Sequence, residues 1–174
     1  GVNPELPLSY YTEAFQLISH RYGLHVRGLS PVELWRLAEK EGISLESLLE
    51  ILKRSGLGSV PGAGAEILTD RMRETLSPRK LSWQTWCDVM GACHRAGLPG
   101  TCNIVFGSNE TIDDVVSHLG YLRDQQDRTG GFLAFVPWIF QAQTKNFPIR
   151  HVPSWEYLRM VAVCRMFLDN IPNI

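Results

Sequence analysis

The sequence has no excess charge of one sign. Its 174 residues carry 17 Lys and Arg against 18 Asp and Glu, a net charge of −1. Nucleic acid or an anionic membrane calls for a basic field, and none is present. No apolar run approaches the roughly 18 residues that cross a bilayer. Gly1–Ser9 is punctuated by proline and lacks the apolar centre of a signal peptide. Cysteines are few. Cys87, Cys93, Cys102 and Cys164 are spaced irregularly and fit no zinc pattern. They read as reduced, partly buried thiols of a cytoplasmic protein. The five histidines form no His-x3-His pair, no Gly-x-Ser-x-Gly elbow occurs, and no glycine loop is followed by Lys-Ser/Thr. A zinc hydrolase, a serine hydrolase and a phosphate-loop nucleotidase therefore have no support in the sequence. His20 and His94 are expected near helix C-termini, where partial positive charge is favoured, and His25 reads as a structural histidine at the head of a strand.

Hydrophobic residues make up 44% and charged residues 20%, the composition of a globular chain that buries a core without disulfides. Helical spacing predicts helices over Leu8–Tyr22 (capped by Ser9), Pro31–Glu41, Ser44–Ser55, Ala65–Thr75, Ser82–Ala96, Thr111–Arg128 and Ser154–Leu168. In Thr111–Arg128, Ile112, Val115, Val116, Leu119 and Leu122 are expected to face the core. Short strands are predicted at Leu24–Leu29, Leu57–Val60, Thr101–Phe106 and Phe132–Trp138. A further one begins at Ile171–Ile174, Ser77-Pro78 is a break and Gln141–Val152 a loop. Strands alternating with helices imply a parallel α/β sheet. The strands lack polar alternation, which fits burial on both faces. Four strands and a stub are too few for an eight-stranded barrel, and there is no dinucleotide fingerprint. The expected fold is one domain over residues 1–174, a partial (β/α) barrel.

Ligands in such folds sit at the carboxyl ends of the strands. Those ends carry Ser30 and Glu33, Pro61–Glu66, Gly107–Thr111, and Trp138, Phe140 and Gln141. Gly62 and Gly64 let the backbone approach a ligand closely, and Glu66 is expected near a helix N-terminus. The same residues also suit a plain strand-to-helix turn with a solvated Glu, which is the simpler account by physics alone. Gly107 and Glu110 can hold hydroxyls or an amine, or can merely begin a helix capped by Asn109 or Thr111. Trp138 and Phe140 can stack on a ring or pack in the core.

Several segments resemble one group of radical S-adenosylmethionine enzymes, those of the futalosine route to menaquinone and of deazaflavin synthesis. They are Gly58-Ser59-Val60-Pro61-Gly62-Ala63-Gly64-Ala65-Glu66-Ile67-Leu68, Asp70–Arg73, Ser77–Ser82, Gly130–Gln141 and Leu168–Ile174. The small residues before Ala65-Glu66, and Pro137-Trp138 with Phe140-Gln141, are most similar to the cyclising branch, which acts on dehypoxanthine futalosine. The resemblance implies a radical S-adenosylmethionine barrel. It implies a [4Fe-4S] cluster that cleaves S-adenosylmethionine, and a nucleoside-like substrate radical that closes a spiro ring. It assigns Glu66, Asn103, Val105, Gly107 and Glu110 to the cosubstrate, and Gly62, Gly64, Trp138 and Gln141 to the substrate.

The sequence departs from the group in two respects. The group's Cys-x3-Cys-x2-Cys cluster loop is absent, and no cysteine pair here has either spacing. Asn103 stands where the group's Gly-x-Ile-x-Gly-x-x-Glu pattern, matched here by Asn103, Val105, Gly107 and Glu110, begins with glycine, and Ser108-Asn109 replace the group's usual His-Val. The chain resembles the group's central and C-terminal part, with the cluster ligands elsewhere. Two other readings stay open. One is a deazaflavin or aminofutalosine synthase. The other is an inactive half barrel that binds a nucleoside, its open sheet edges favouring self-association or a partner chain that completes the barrel.

Overall fold

The computed structural model describes residues 3, 5–76, 78–141 and 149–174. The break expected at Ser77 and most of the Gln141–Val152 loop lie outside these residues. Among those described, four parallel strands alternate with helices: β1 Val26–Arg27, β2 Leu57–Ser59, β3 Gly100–Phe106 and β4 Phe132–Ile139. Strand β1 pairs with β2, and β3 pairs with β4. A parallel bridge from Val60 to Gly100 joins the two pairs, and another links Ala134 to Asn173 at the start of the expected fifth strand. Each strand thus lies beside the next in sequence, with no reversal of order. A doubly wound sheet reverses at its switch point, whereas an arc of a barrel does not.

The helices are α1 Leu8–Gln16, α2 Pro31–Glu41, α3 Leu45–Arg54, α4 Asp70–Leu76, α5 Trp83–Arg95, α6 Ile112–Thr129 and α7 Ser154–Phe167. Their starts follow from local chemistry. Ser30 and Glu33 form a capping box ahead of Pro31, and Thr111 and Asp114 form one ahead of Ile112. The Ser44 and Ser82 side chains accept from the Ser47 and Thr85 N–H groups. Gly42 and Gly130 end α2 and α6 in the left-handed conformation.

Strand β3 divides the molecule into two sides. Cys102, Ile104 and Phe106 are buried against the helices with Trp86, Leu119, Leu122, Phe132 and Phe135. Thr101, Asn103 and Val105 face the other way, in register with Ala134, Val136 and Trp138 of β4. This is the inner face of the arc.

Four expectations are corrected. The first helix begins at Leu8 behind Pro7, not at a Ser9 cap, and ends at Gln16 in a π-helical turn over Leu17–Arg21. The segment predicted as a helix from Ala65 is irregular as far as Thr69, and α4 starts only at Asp70. Ile112 is 81% exposed and Val116 48%, so the buried stripe of α6 is narrower than its apolar pattern. These two side chains line an open groove with Trp155, Met160 and Val163 of α7. His94 is not a charged helix-end residue. Its ring lies against Gly131 and edge-on to Phe132, its Nδ1 is 2.7 Å from Thr129 Oγ1, and burial lowers its pKa to about 4.

Candidate functional site

The site grows from the segment that failed to become a helix. Gly64, Ala65, Glu66, Leu68 and Thr69 each have a tertiary hydrogen-bond partner that a helix could not keep. Arg73 Nη1 donates to the Gly64 and Ala65 carbonyls at 3.1 and 3.0 Å, and its Nε donates to the Leu81 carbonyl. The Val105 N–H donates to the Glu66 carbonyl at 3.0 Å, so the segment runs along β3. The Leu68 N–H donates to His118 Nδ1 at 3.0 Å, which leaves the ring proton on Nε2. The Thr69 hydroxyl donates to Asp114 at 2.8 Å. Burial pushes the His118 pKa down to about 3, so the ring is a neutral acceptor. Asp114, ion-paired to Arg71 and bonded to Thr111 and Thr69, is held well below the usual carboxylate range despite its burial.

These ties hold Glu66 at a φ of +41°, a left-handed conformation that non-glycine residues seldom adopt. Such backbone costs on the order of 1–3 kcal/mol and persists only where its surroundings over-determine it. The carboxylate lies in a cleft of about 300 Å³ lined also by Leu76, Lys80, Val105, Ile139, Phe140 and Gln141. Lys80 binds Oε1, while Oε2 is buried with no hydrogen-bond partner. Asn103 Oδ1 on the inner face of β3 is likewise buried and without a partner. Two unpaired oxygens are what a site for hydroxyl or amine donors requires, because a buried acceptor left empty is costly.

Of the remaining expected residues, Val105 and Gln141 line this cleft with Glu66. Trp138 pairs with Val105 in the β3–β4 register and is 58% exposed on the inner face. Gly107 has a φ of +100° and begins the loop after β3. The Glu110 carboxylate folds back onto that loop. It accepts from the Gly107 and Ser108 N–H groups at 2.8 and 2.7 Å and from the Ser108 hydroxyl at 3.0 Å, and Arg150 lies 3.4 Å away. Glu110 therefore shapes the loop through bonds of its own. Gly62 is packed on β3, where a Cβ would stand 1.8 Å from the Thr101 carbonyl oxygen, and Gly64 turns the chain at a φ of +84°. Glu66 is not at a helix N-terminus, since α4 begins four residues later.

Sequence reasoning assigned no role to Lys80 or Arg73. Both stand in segments quoted for their resemblance, but no spacing rule connects either to Glu66. The one signal available was an arginine inside the short apolar-and-charged run before Ser77.

All four cysteines are buried and free. Burial pushes Cys87, Cys93 and Cys164 up to about 12 and raises Cys102 as well, so they are thiols rather than metal-binding thiolates. Among the described residues no group of three His, Cys, Asp or Glu side chains could hold a metal ion. The residues of this chain do not fit an iron–sulfur cluster. The unpaired oxygens of Glu66 and Asn103 do fit a hydroxyl- or amine-bearing cosubstrate. Among the described residues no helix is long and apolar enough to cross a membrane.

Comparison with known proteins places this arc. Its fold is a partial (β/α) barrel. Methylornithine synthase superposes on 95% of the chain with a TM-score of 0.66, at 12% identity and over 44% of its own length. Residues 129–174 match the family described as the CofH/MqnC C-terminal region. The chain is 39% identical over 99% of its length to cyclic dehypoxanthine futalosine synthase of Halalkalibacterium halodurans, and 36% identical to that of Streptomyces coelicolor. Aminodeoxyfutalosine synthase of Thermus thermophilus is 30% identical. The chain is thus similar along its whole length to enzymes named as futalosine synthases. It spans about half the length of the curated relatives it matches, 47% and 44% of the first two.

Proposed function

We propose that this chain forms the cosubstrate- and substrate-contacting part of a radical S-adenosylmethionine cyclase. The reaction is conversion of dehypoxanthine futalosine to cyclic dehypoxanthinyl futalosine in menaquinone biosynthesis. The observation that carries the reading is similarity along the whole chain, at 39% identity, to an enzyme of that name. The buried, unpaired oxygens of Glu66 and Asn103 support it from the side of geometry.

In this reading Glu66 and Asn103 accept hydrogen bonds from S-adenosylmethionine, and Val105 supplies an apolar wall. Gly107 and Glu110 fix the loop beside it. The cosubstrate, when bound, supplies the hydrogen-abstracting group typical of this enzyme class. Lys80 balances the Glu66 charge until the ligand's donors arrive. Trp138 and Gln141 border the substrate, and Gly62 and Gly64 hold the wall beneath it. The protein's own task is to orient the reacting carbon and exclude water. In this reading the cluster would be held by residues outside this chain.

The test uses the longest natural form of the chain, reconstituted with iron and sulfide. Substrate-dependent release of 5′-deoxyadenosine with dehypoxanthine futalosine is expected. Glu66→Gln should weaken S-adenosylmethionine binding, measured by equilibrium dialysis, by roughly tenfold, the loss of one charged hydrogen bond. Unchanged affinity would remove Glu66 from the site. A second reading follows from the 35% identity over the whole chain to the 5-amino-6-(D-ribitylamino)uracil–L-tyrosine 4-hydroxyphenyl transferase of Methanospirillum hungatei. Release with that uracil and tyrosine, and none with dehypoxanthine futalosine, would select it.

A further inference from the structure

His118 is fully buried in the middle of α6, on the apolar stripe with Val115, Leu119 and Leu122. An apolar side chain there would continue the stripe, and a buried polar one is costly unless it is bonded. Among the described residues its one full hydrogen bond is with the Leu68 N–H, 50 residues away. Its Nε2 is turned toward the Asn103 carbonyl of β3 without completing a second bond. The ring is thus wedged between the two segments that present the unpaired oxygens of Glu66 and Asn103.

The left-handed backbone of Glu66 needs support on both flanks, because strain of this kind relaxes when one side comes free. Upstream, Arg73 ties the Gly64 and Ala65 carbonyls. Downstream, the ties are His118 to Leu68 and Asp114 to Thr69. Asp114 divides its oxygens among Thr69, Arg71 and Thr111 at the start of α6. His118 gives its acceptor to Leu68 alone, from the middle of an 18-residue helix. If that bond is lost, Glu66 can return to an ordinary φ and its carboxylate leaves the cleft.

We propose that His118 is a positioning residue, which through its bond to the Leu68 N–H holds the Glu66 carboxylate where the cosubstrate's donor meets it. The inference deepens the reading above and rests on it for the identity of the ligand. A neutral imidazole is required, because Nδ1 must offer a lone pair to an N–H, and burial keeps the ring neutral.

The test is a double-mutant cycle on S-adenosylmethionine affinity, measured by equilibrium dialysis with the longest natural form reconstituted with iron and sulfide. His118→Gln reaches toward Nε2 and leaves the Leu68 N–H empty, so it should weaken binding by about tenfold, as Glu66→Gln does. In the Glu66→Gln background the same change should cost less than about twofold, because the group it positions is already altered. His118→Asn, whose Oδ1 falls near the place of Nδ1, should keep the Leu68 bond and restore most of the affinity. His94→Gln alters a buried histidine with no tie to the cleft. It should lower the melting temperature and leave the affinity as it was. A folded His118→Gln that binds as tightly as the unaltered protein would overturn the proposal. So would losses that multiply in the double variant. Exchange of the Leu68 amide, followed by NMR in the unaltered protein, needs no variant to fold. Protection of at least about a hundredfold is expected, and exchange at the rate of an open peptide would overturn the proposal as well. These outcomes leave the cyclase reading standing, whereas an unaltered protein that binds no S-adenosylmethionine would sink that reading itself.

Discussion

Arg73→Met tests whether one buried side chain holds the candidate site in shape. Arg73 is only 5% exposed and serves three carbonyls, those of Gly64, Ala65 and Leu81. Methionine fills much of the same space but donates nothing. Burial already lowers the arginine pKa, so part of the lost hydrogen bonding is offset by relief of desolvation. The carbonyls gain no such relief. A buried acceptor left empty costs about 1–3 kcal/mol, and Gly64 and Ala65 lie beside the strained Glu66 backbone. Taking about 1 kcal/mol for each carbonyl gives a net loss near 3 kcal/mol. For a chain of this size that lowers Tm by about 6–12 °C. Circular dichroism melting of the wild type and of Arg73→Met in the same buffer reads the difference. A fall of less than 2 °C would refute the reasoning, because it would mean that water or a shifted loop satisfies the carbonyls at no cost. Arg73→Lys, which keeps one donor group but not the fork, should fall between the two.

Further outcomes follow from the buried histidines and from Gly62. His94 and His118 are held neutral, at about 4 and about 3, below their ordinary value of 6.5. The unfolded chain therefore binds more protons as the pH drops below 6.5, and stability falls toward pH 4. The slope approaches about 1.4 kcal/mol per pH unit for each histidine, visible as a lower urea midpoint at pH 5 than at pH 7. A midpoint unchanged between those values would show that the rings are not held neutral. Gly62→Ala places a Cβ 1.8 Å from the Thr101 carbonyl oxygen of β3, a backbone atom with no flexible side chain to move aside. A loss of at least about 2 kcal/mol is expected from such overpacking, read as the denaturant midpoint, and a stability within 0.5 kcal/mol of wild type would contradict the close approach.

Much of this molecule is written locally in its sequence. Ser30 with Glu33, Ser44, Ser82 and Thr111 with Asp114 begin helices through bonds that span three residues, so sequence alone determines where those helices start. The apolar runs 101–106 and 132–138 determine strands, and the alternation of strand and helix determines a parallel sheet. The absence of any cluster-binding cysteine spacing is equally a fact of sequence. The segments that carry the resemblance to radical S-adenosylmethionine enzymes are legible in the same way, because a family signature is a run of neighbouring residues.

What only the tertiary structure decided depends on partners far along the chain. Ala65–Thr69 has the composition of a helix, yet Val105, His118, Asp114 and Arg73 take its backbone and side-chain groups one by one and leave it irregular. Glu66 owes its unpaired oxygen and its position to those same contacts. Ile112 and Val116 share the apolar spacing of Leu119 and Leu122, but the width of the stripe that is buried depends on where α7 lies across α6. His94 carries no charge because Gly131 and Phe132 close over it. Arg27 meets Thr101, 74 residues away, only because parallel pairing brings β1 and β2 beside β3. Helix caps and apolar periodicity act over a single turn. Burial, charge state and the meeting of side chains in a cleft are properties of the packed chain, because desolvation and hydrogen bonding depend on whatever the fold brings alongside.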